Sequence, residues 1–239
     1  GTVRRSATQG NPDLKVERVT ETEFGVDARF FDNKLSVGAT YYNRLTTDGI
    51  LQLETPPTTG FTERYANAAE ISNKGIELDF NYKLISNTDL SVNLFGNFTA
   101  YKNIVESLPD VSRVLLNGFT STGSVVKEGE SFAAIFGGAY ERNANGSIAT
   151  DSSGFPLIDD EQKVIGDPNP DYRAGLGANI DYKNFNLSFL FETSQGNDMW
   201  GGTQGVLYYF GIHPDTANES VAPVDLPIYN SSDVIPAGT

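Results

Sequence analysis

The chain has 239 residues, with 31 acidic side chains against 17 basic ones and a formal charge of −14. That balance argues against nucleic acid and against an anionic cytoplasmic membrane face, both of which select for surplus Lys and Arg. Cysteine is absent, which excludes a disulfide framework, a thiolate metal site and a cysteine nucleophile, and suits an oxidising envelope compartment. No apolar run approaches the ~18 residues of a spanning helix, and the opening GTVRRSATQG does not look like a signal peptide. A helical membrane protein is thereby excluded. A membrane β-barrel is not, because its strands carry hydrophobicity on alternate residues only.

The first element is LKVERVTETEFGVDARFF. Its even positions run Leu14, Val16, Arg18, Thr20, Thr22, Phe24, Val26, Ala28, Phe30, and its odd positions carry Lys15, Glu17, Glu21, Glu23, Asp27 and Arg29. After a turn at Asp32–Lys34 the alternation resumes with Leu35, Val37, Ala39, Tyr41, Asn43 and Leu45 on one face. GIELDFNYKLI follows, with Ile76, Leu78, Phe80, Tyr82 and Leu84 opposing Glu77, Asp79, Asn81 and Lys83. A turn at Ser86–Asp89 leads into LSVNLFGNFTA, whose apolar face is Leu90, Val92, Leu94, Gly96 and Phe98. The last pair is DYRAGLGANIDY, a Lys183–Asn184 turn, and FNLSFLFETS. Six runs of period two in three pairs predict antiparallel hairpins.

On the six apolar faces only Arg18 is charged, against thirteen charged residues on the opposite faces when the fifth run is counted from Tyr172. Such alternation puts one face against an apolar medium and the other against water. The apolar medium is either a protein core, as in a soluble β-sandwich, or lipid. Three features favour lipid. Several runs exceed ten residues, where soluble strands average about five to six. Tight turns alternate with long segments at about 54–74 and 102–170 and after 194, the asymmetry of outer-membrane barrels. Aromatics gather near both strand ends, with Phe30, Phe31, Tyr82, Tyr182 and Phe185 near the turns and Tyr41, Phe98 and Tyr172 opposite, as interfacial girdles do. Arg18, fourteen residues from Asp32, would stand roughly 35 Å along the axis, beyond an apolar band about 25 Å tall.

The stretches NPDLKVERVTETEFGVDARFFDNKLSVGATYYNRLTTDGIL, NAAEISNKGIELDFNYKLI and VIGDPNPDYRAGLGANIDYKNFNLSFLFETSQGND resemble the C-terminal barrel region of SusC-like TonB-dependent outer-membrane transporters. PPTTGF and VKEGESFAAIFGGAY match in the same order, so the resemblance covers Asn11 to Trp200. It implies an all-β antiparallel meander forming part of a large transmembrane β-barrel of about 22 strands. It also implies uptake of oligosaccharides or peptides, TonB as energy source through a plug, and a SusD-like lipoprotein over the mouth. The whole of 1–239 is then expected to be a partial barrel domain with residues for about eight to ten of those strands, without the plug and the remaining strands. Two rivals stand beside transport: a SusC-like barrel acting as a scaffold in an envelope complex, and a secreted β-sandwich binding module.

In the family, IGDPNPDY leads from a long extracellular loop into a strand. Pro168 and Pro170 lack an N–H and hold the chain extended before pairing begins, while Asp167 and Asp171 read as turn and lumen-facing groups rather than cation ligands. Enzymatic chemistry finds little footing. His213 is the sole histidine, no phosphate loop is present, and Asp159-Asp160 has no supporting catalytic neighbour. Neither cofactor nor metal is expected. The candidate ligand contacts are Tyr42, Arg44, Arg64, Tyr65, Tyr101, Asn103, Asn197, Asp198 and Trp200. Aromatic faces stack on sugar rings, and amides and guanidinium groups hydrogen-bond hydroxyl or peptide groups.

Overall fold

The computed structural model describes residues 6–119, 122–218, 220–221 and 234–235, so the terminal PAGT lies outside it. The chain divides into two compact units. The first, residues 1–136 and 166–198, contains a long antiparallel meander. A two-residue strand β1 (Thr8–Gln9) precedes β2 (Arg18–Phe30), β3 (Leu35–Glu54), β4 (Glu63–Ser86) and β5 (Leu90–Ser107). Three short strands follow, β6 (Val114–Phe119), β7 (Thr122–Val126) and β8 (Ala134–Gly137), then β9 (Lys163–Gly166). The meander ends with β10 (Tyr172–Tyr182) and β11 (Phe185–Gln195). The six long strands lie in the order β2-β3-β4-β5-β10-β11, each antiparallel to the next.

All six predicted runs form strands, although β2 begins at Arg18 and residues 14–17 of the first run lie outside the sheet, and the three hairpins form where the alternation breaks. Lys183 sits at φ 54 in the two-residue turn between β10 and β11. Asn87 closes the β4–β5 turn, its Oδ1 accepting from the N–H of Asp89 and of Leu90 at 3.1 and 2.9 Å. The β2–β3 turn begins one residue earlier than expected, with Phe31, Asp32 and Asn33 all at positive φ. Short polar side chains tolerate that region, and Phe31 is its costly member.

The segment 54–74, expected to be a long loop, is mostly sheet. β3 and β4 continue past their alternating runs and pair out to Glu54 and Glu63. The alternation was unreadable there because bulges interrupt it. The register slips at Thr46/Gly49, with Asp48 at φ 55, and again at Gly49/Ile50. One extra residue in a strand inverts the facing of every residue beyond it. Leu51 and Leu53 therefore point away from the face carrying Leu45, although all three share odd numbers. There they form the first unit's core with Ala66, Ala68, Ala69, Val105, Leu108, Val114 and Val126.

Cross-strand partners share a face, so the register lines side chains into rows. On the apolar face one row reads Phe30, Leu35, Tyr82, Leu94, Ala178, Phe189. The next reads Ala28, Val37, Phe80, Gly96, Leu176, Phe191, and the next Val26, Ala39, Leu78, Phe98, Ala174. A row of Phe24, Tyr41, Ile76 and Ala100 closes this band. Nothing in the structure covers it among the described residues: Phe24 and Val26 are 70% and 68% exposed. A sealed sandwich core is thus absent from this face. Phe80 fills the space above Gly96, where a Cβ would meet its ring at 2.6 Å.

The second unit comprises 137–165 and 199–239. Isolated bridges pair Tyr140 with Ile158, Arg142 with Ile148 and Thr150 with Pro156. The segment MWGGTQG leads into helix α1 (Gly202–Tyr209). Beyond it β12 (Ser220–Val221) pairs with β13 (Val234–Ile235).

Candidate functional site

The polar face of the meander carries two adjacent rows of candidate residues. One runs Glu23, Tyr42, Gly75, Tyr101, and its neighbour runs Glu21, Arg44, Asn73, Asn103. The alternation put Tyr42, Arg44, Tyr101 and Asn103 on one wall, and the register brings the four together. Tyr42 donates its hydroxyl to Asn73 Oδ1 at 3.1 Å, and Arg44 Nε donates to Glu21. Tyr42 lies over Gly75: a Cβ there would meet its Oη at 2.6 Å. The glycine makes room for the ring to lie along the wall.

Glu21, Glu23, Thr40, Tyr42, Arg44, Asn73 and Glu77 line an open hollow of about 280 Å³. Three carboxylates face one guanidinium, so the hollow favours cationic or neutral groups over anions. Glu21, Glu23, Glu77 and Asn73 were not among the candidates. Alternation faces each of them towards water, but their convergence depends on a cross-strand register that no single run encodes.

The other candidates lie elsewhere. Asn103 belongs to the wall yet is committed: its Oδ1 accepts from the Phe132 N–H at 3.2 Å. Arg64 and Tyr65 stand on the bulged extension, paired with Leu53 and Gln52. Asn197 accepts from the Ser194 hydroxyl at 3.4 Å. Asp198 accepts from the Asp167 N–H at 2.9 Å and donates its own N–H to the Asp167 carbonyl at 2.6 Å. Trp200 belongs to the second unit, its ring over Gly202.

The DPNP segment is a structural joint. The Asp167 carboxylate accepts from Ser131 Oγ, from the Asn169 N–H and from Asn169 Nδ2. Asn169 Nδ2 also donates to the Phe132 carbonyl at 3.1 Å. These bonds tie the entry of β10 to the loop after β7, as the extended prolines permit. Among the described residues no group of three or more His, Asp or Glu is placed to hold a metal ion. Asp159 is paired with Lys163, and that hydrogen bond, with one from the Glu161 N–H, holds its carboxyl below the usual range. His213 stacks on Tyr208 at 4.1 Å and accepts from the Asp215 N–H, which makes it a small turn anchor.

Residues 2–234 match the family model described as TonB dependent receptor-like, beta-barrel. TonB-dependent receptor P3 of Formosa agariphila is 27% identical over 79% of this chain and 21% of its own length. TonB-dependent receptor SusC of Bacteroides thetaiotaomicron is 26% identical over 78% of this chain and 20% of its own length. The solved structure of the RagAB peptide transporter superposes with a TM-score of 0.64 at 22% identity, over 79% of this chain and 22% of that one. The chain thus spans roughly a fifth of the length of these relatives. With an apolar band on one face of a long-stranded meander and a polar wall on the other, the chain belongs to the TonB-dependent receptor-like β-barrel family of the bacterial outer membrane.

Proposed function

We propose that this chain is a section of the barrel wall of a TonB-energised importer for oligosaccharides or peptides, working beneath a SusD-like lipoprotein. The observation that supports this most is the convergence of Tyr42, Arg44, Tyr101 and Asn103 in two neighbouring rows of the polar wall. Flat aromatic faces, a guanidinium and amides on one surface suit ligands that offer both ring or peptide planes and hydrogen-bonding groups. The outer-membrane setting supplies the apolar phase that the opposite face needs.

Tyr42 and Arg44 are the residues to change. In cells dependent on the intact protein, Tyr42→Ala and Arg44→Ala should each reduce uptake of the transported ligand about tenfold, with the level of folded barrel unchanged. Supplying labelled oligosaccharides and oligopeptides in parallel identifies the class. Deleting the gene without any loss of uptake, while an envelope complex disassembles, would establish the scaffold role instead.

A further inference from the structure

The apolar face ends abruptly at its extracellular side, and the next row carries two lysines. Immediately beyond Phe24, Tyr41, Ile76 and Ala100 comes the row Thr22, Asn43, Lys74, Lys102. No register shift separates Lys74 from Ile76 or Lys102 from Ala100, so both lysines share the lipid-facing side. The ten residue-to-residue steps from Leu90 to Ala100 on β5 span about 25 Å along the axis at ordinary strand rise and tilt. That equals the height of the apolar band of an outer-membrane barrel, about 25 Å. Lys74 and Lys102 therefore stand at the outer headgroup level.

They are also directly opposite each other, with Cβ atoms about 4.5–5.5 Å apart by ladder geometry, where like charges repel. Both are exposed, and among the described residues neither has an ion-pair partner. Glu106, further up the same strand, accepts from the Ser72 hydroxyl. A shallow hollow of about 300 Å³ lies between the lysines and Tyr41, with Asp171 also contributing to its lining. An isolated interfacial lysine needs only water. Two facing lysines above an aromatic row, with only the Asp171 carboxylate beside them, keep a surplus positive charge that favours a further anion between them.

We propose that Lys74 and Lys102 bind the phosphate of a phosphorylated glycolipid of the outer leaflet, with Tyr41 against its sugar or acyl portion. The phosphate bridges the two ammonium groups and relieves their repulsion, while the band below holds the acyl chains. This site is on the outer wall, independent of whatever the inner wall transports.

The test uses the intact protein in nanodiscs of phosphatidylcholine doped with bisphosphorylated lipid A, and retained lipid is read by native mass spectrometry after delipidation. The wild type should retain lipid A, and retention should fall with added salt. Lys74→Gln/Lys102→Gln should weaken it about 30-fold, roughly fivefold per lysine. Lys102→Glu should also abolish retention while keeping the folded-barrel band shift, because it replaces repulsion with an ion pair. It therefore carries the test should the double variant misfold. Lys83→Gln, on the polar wall, should change nothing. Equal retention by the wild type and Lys102→Glu would overturn the proposal, as would equal retention of fully dephosphorylated lipid A. Complete displacement by millimolar inorganic phosphate would also overturn it, assigning the lysines to a free anion.

Discussion

At the scale of single residues, the wall depends on pairings between large and absent side chains. Tyr42 rests over Gly75 and reaches Asn73. Gly75→Ala would drive a Cβ into the ring, displacing Tyr42 and breaking its hydrogen bond at a stability cost of about 1 kcal/mol, the low end for overpacking because the ring tip can swing away. Uptake kinetics of Gly75→Ala should resemble those of Tyr42→Ala, while its melting temperature stays close to wild type. In the second unit the Asp159 carboxyl is depressed by its Lys163 hydrogen bond and the Glu161 N–H. A depressed carboxyl contributes stability above its ordinary pKa and loses that contribution as pH falls through the lowered one. The group is exposed, so the effect is local. Lys163→Gln should raise the Asp159 titration midpoint in carbon-detected NMR, and an unchanged midpoint would remove the pair from the account.

Among elements, the six alternating runs were legible because little interrupts their period: apart from a register shift between Lys83 and Ile85 beside the β4–β5 turn, each keeps one parity to the band edge. Legibility stopped at Leu45 on β3 and at Ile76 on β4. Beyond them the bulges at Thr46/Gly49 and near Ala68 invert the facing, so Leu51 and Leu53 look like more of the same face and are the reverse. The site followed the same pattern. Tyr42 and Arg44 could be nominated from parity alone, whereas Glu21 and Asn73 required the register between strands. Asn103 Oδ1 and Asp198 Oδ2 each accept a backbone N–H, from Phe132 and Asp167, contacts that no single run encodes. The inverted segment yields its own prediction. Leu53 is 2% exposed in the core with Val105 and Val126. Leu53→Ala should lower the local opening free energy by about 2–5 kcal/mol. Hydrogen exchange at Val105 and Val126 should accelerate while the membrane strands keep their protection. Simultaneous loss throughout the sheet would show that this core and the barrel unfold as one.

For the whole molecule, the charge of −14 and the apolar band are two sides of one arrangement. Acidic residues gather on the polar wall and beyond the membrane, and the band between the Leu90 row and the Ala100 row carries none. Within the described residues β2 and β11 are the ends of the meander, and their free edges need further strands, since an open edge is not tolerated in lipid. The central claim is that period-two alternation here marks a lipid-facing wall. Leu176 lies mid-band in the row of Phe80 and Gly96, is 54% exposed, and covers nothing beneath it. Asn81, next to Phe80 along β4, faces the opposite way and is also exposed. Heat-modifiability and denaturant titration of the intact barrel in lipid vesicles should show Leu176→Arg destabilised by about 2–4 kcal/mol, with Asn81→Arg within about 0.5 kcal/mol of wild type. Equal destabilisation by the two substitutions would contradict the account, because it would mean that the two faces of the sheet do not meet different solvents.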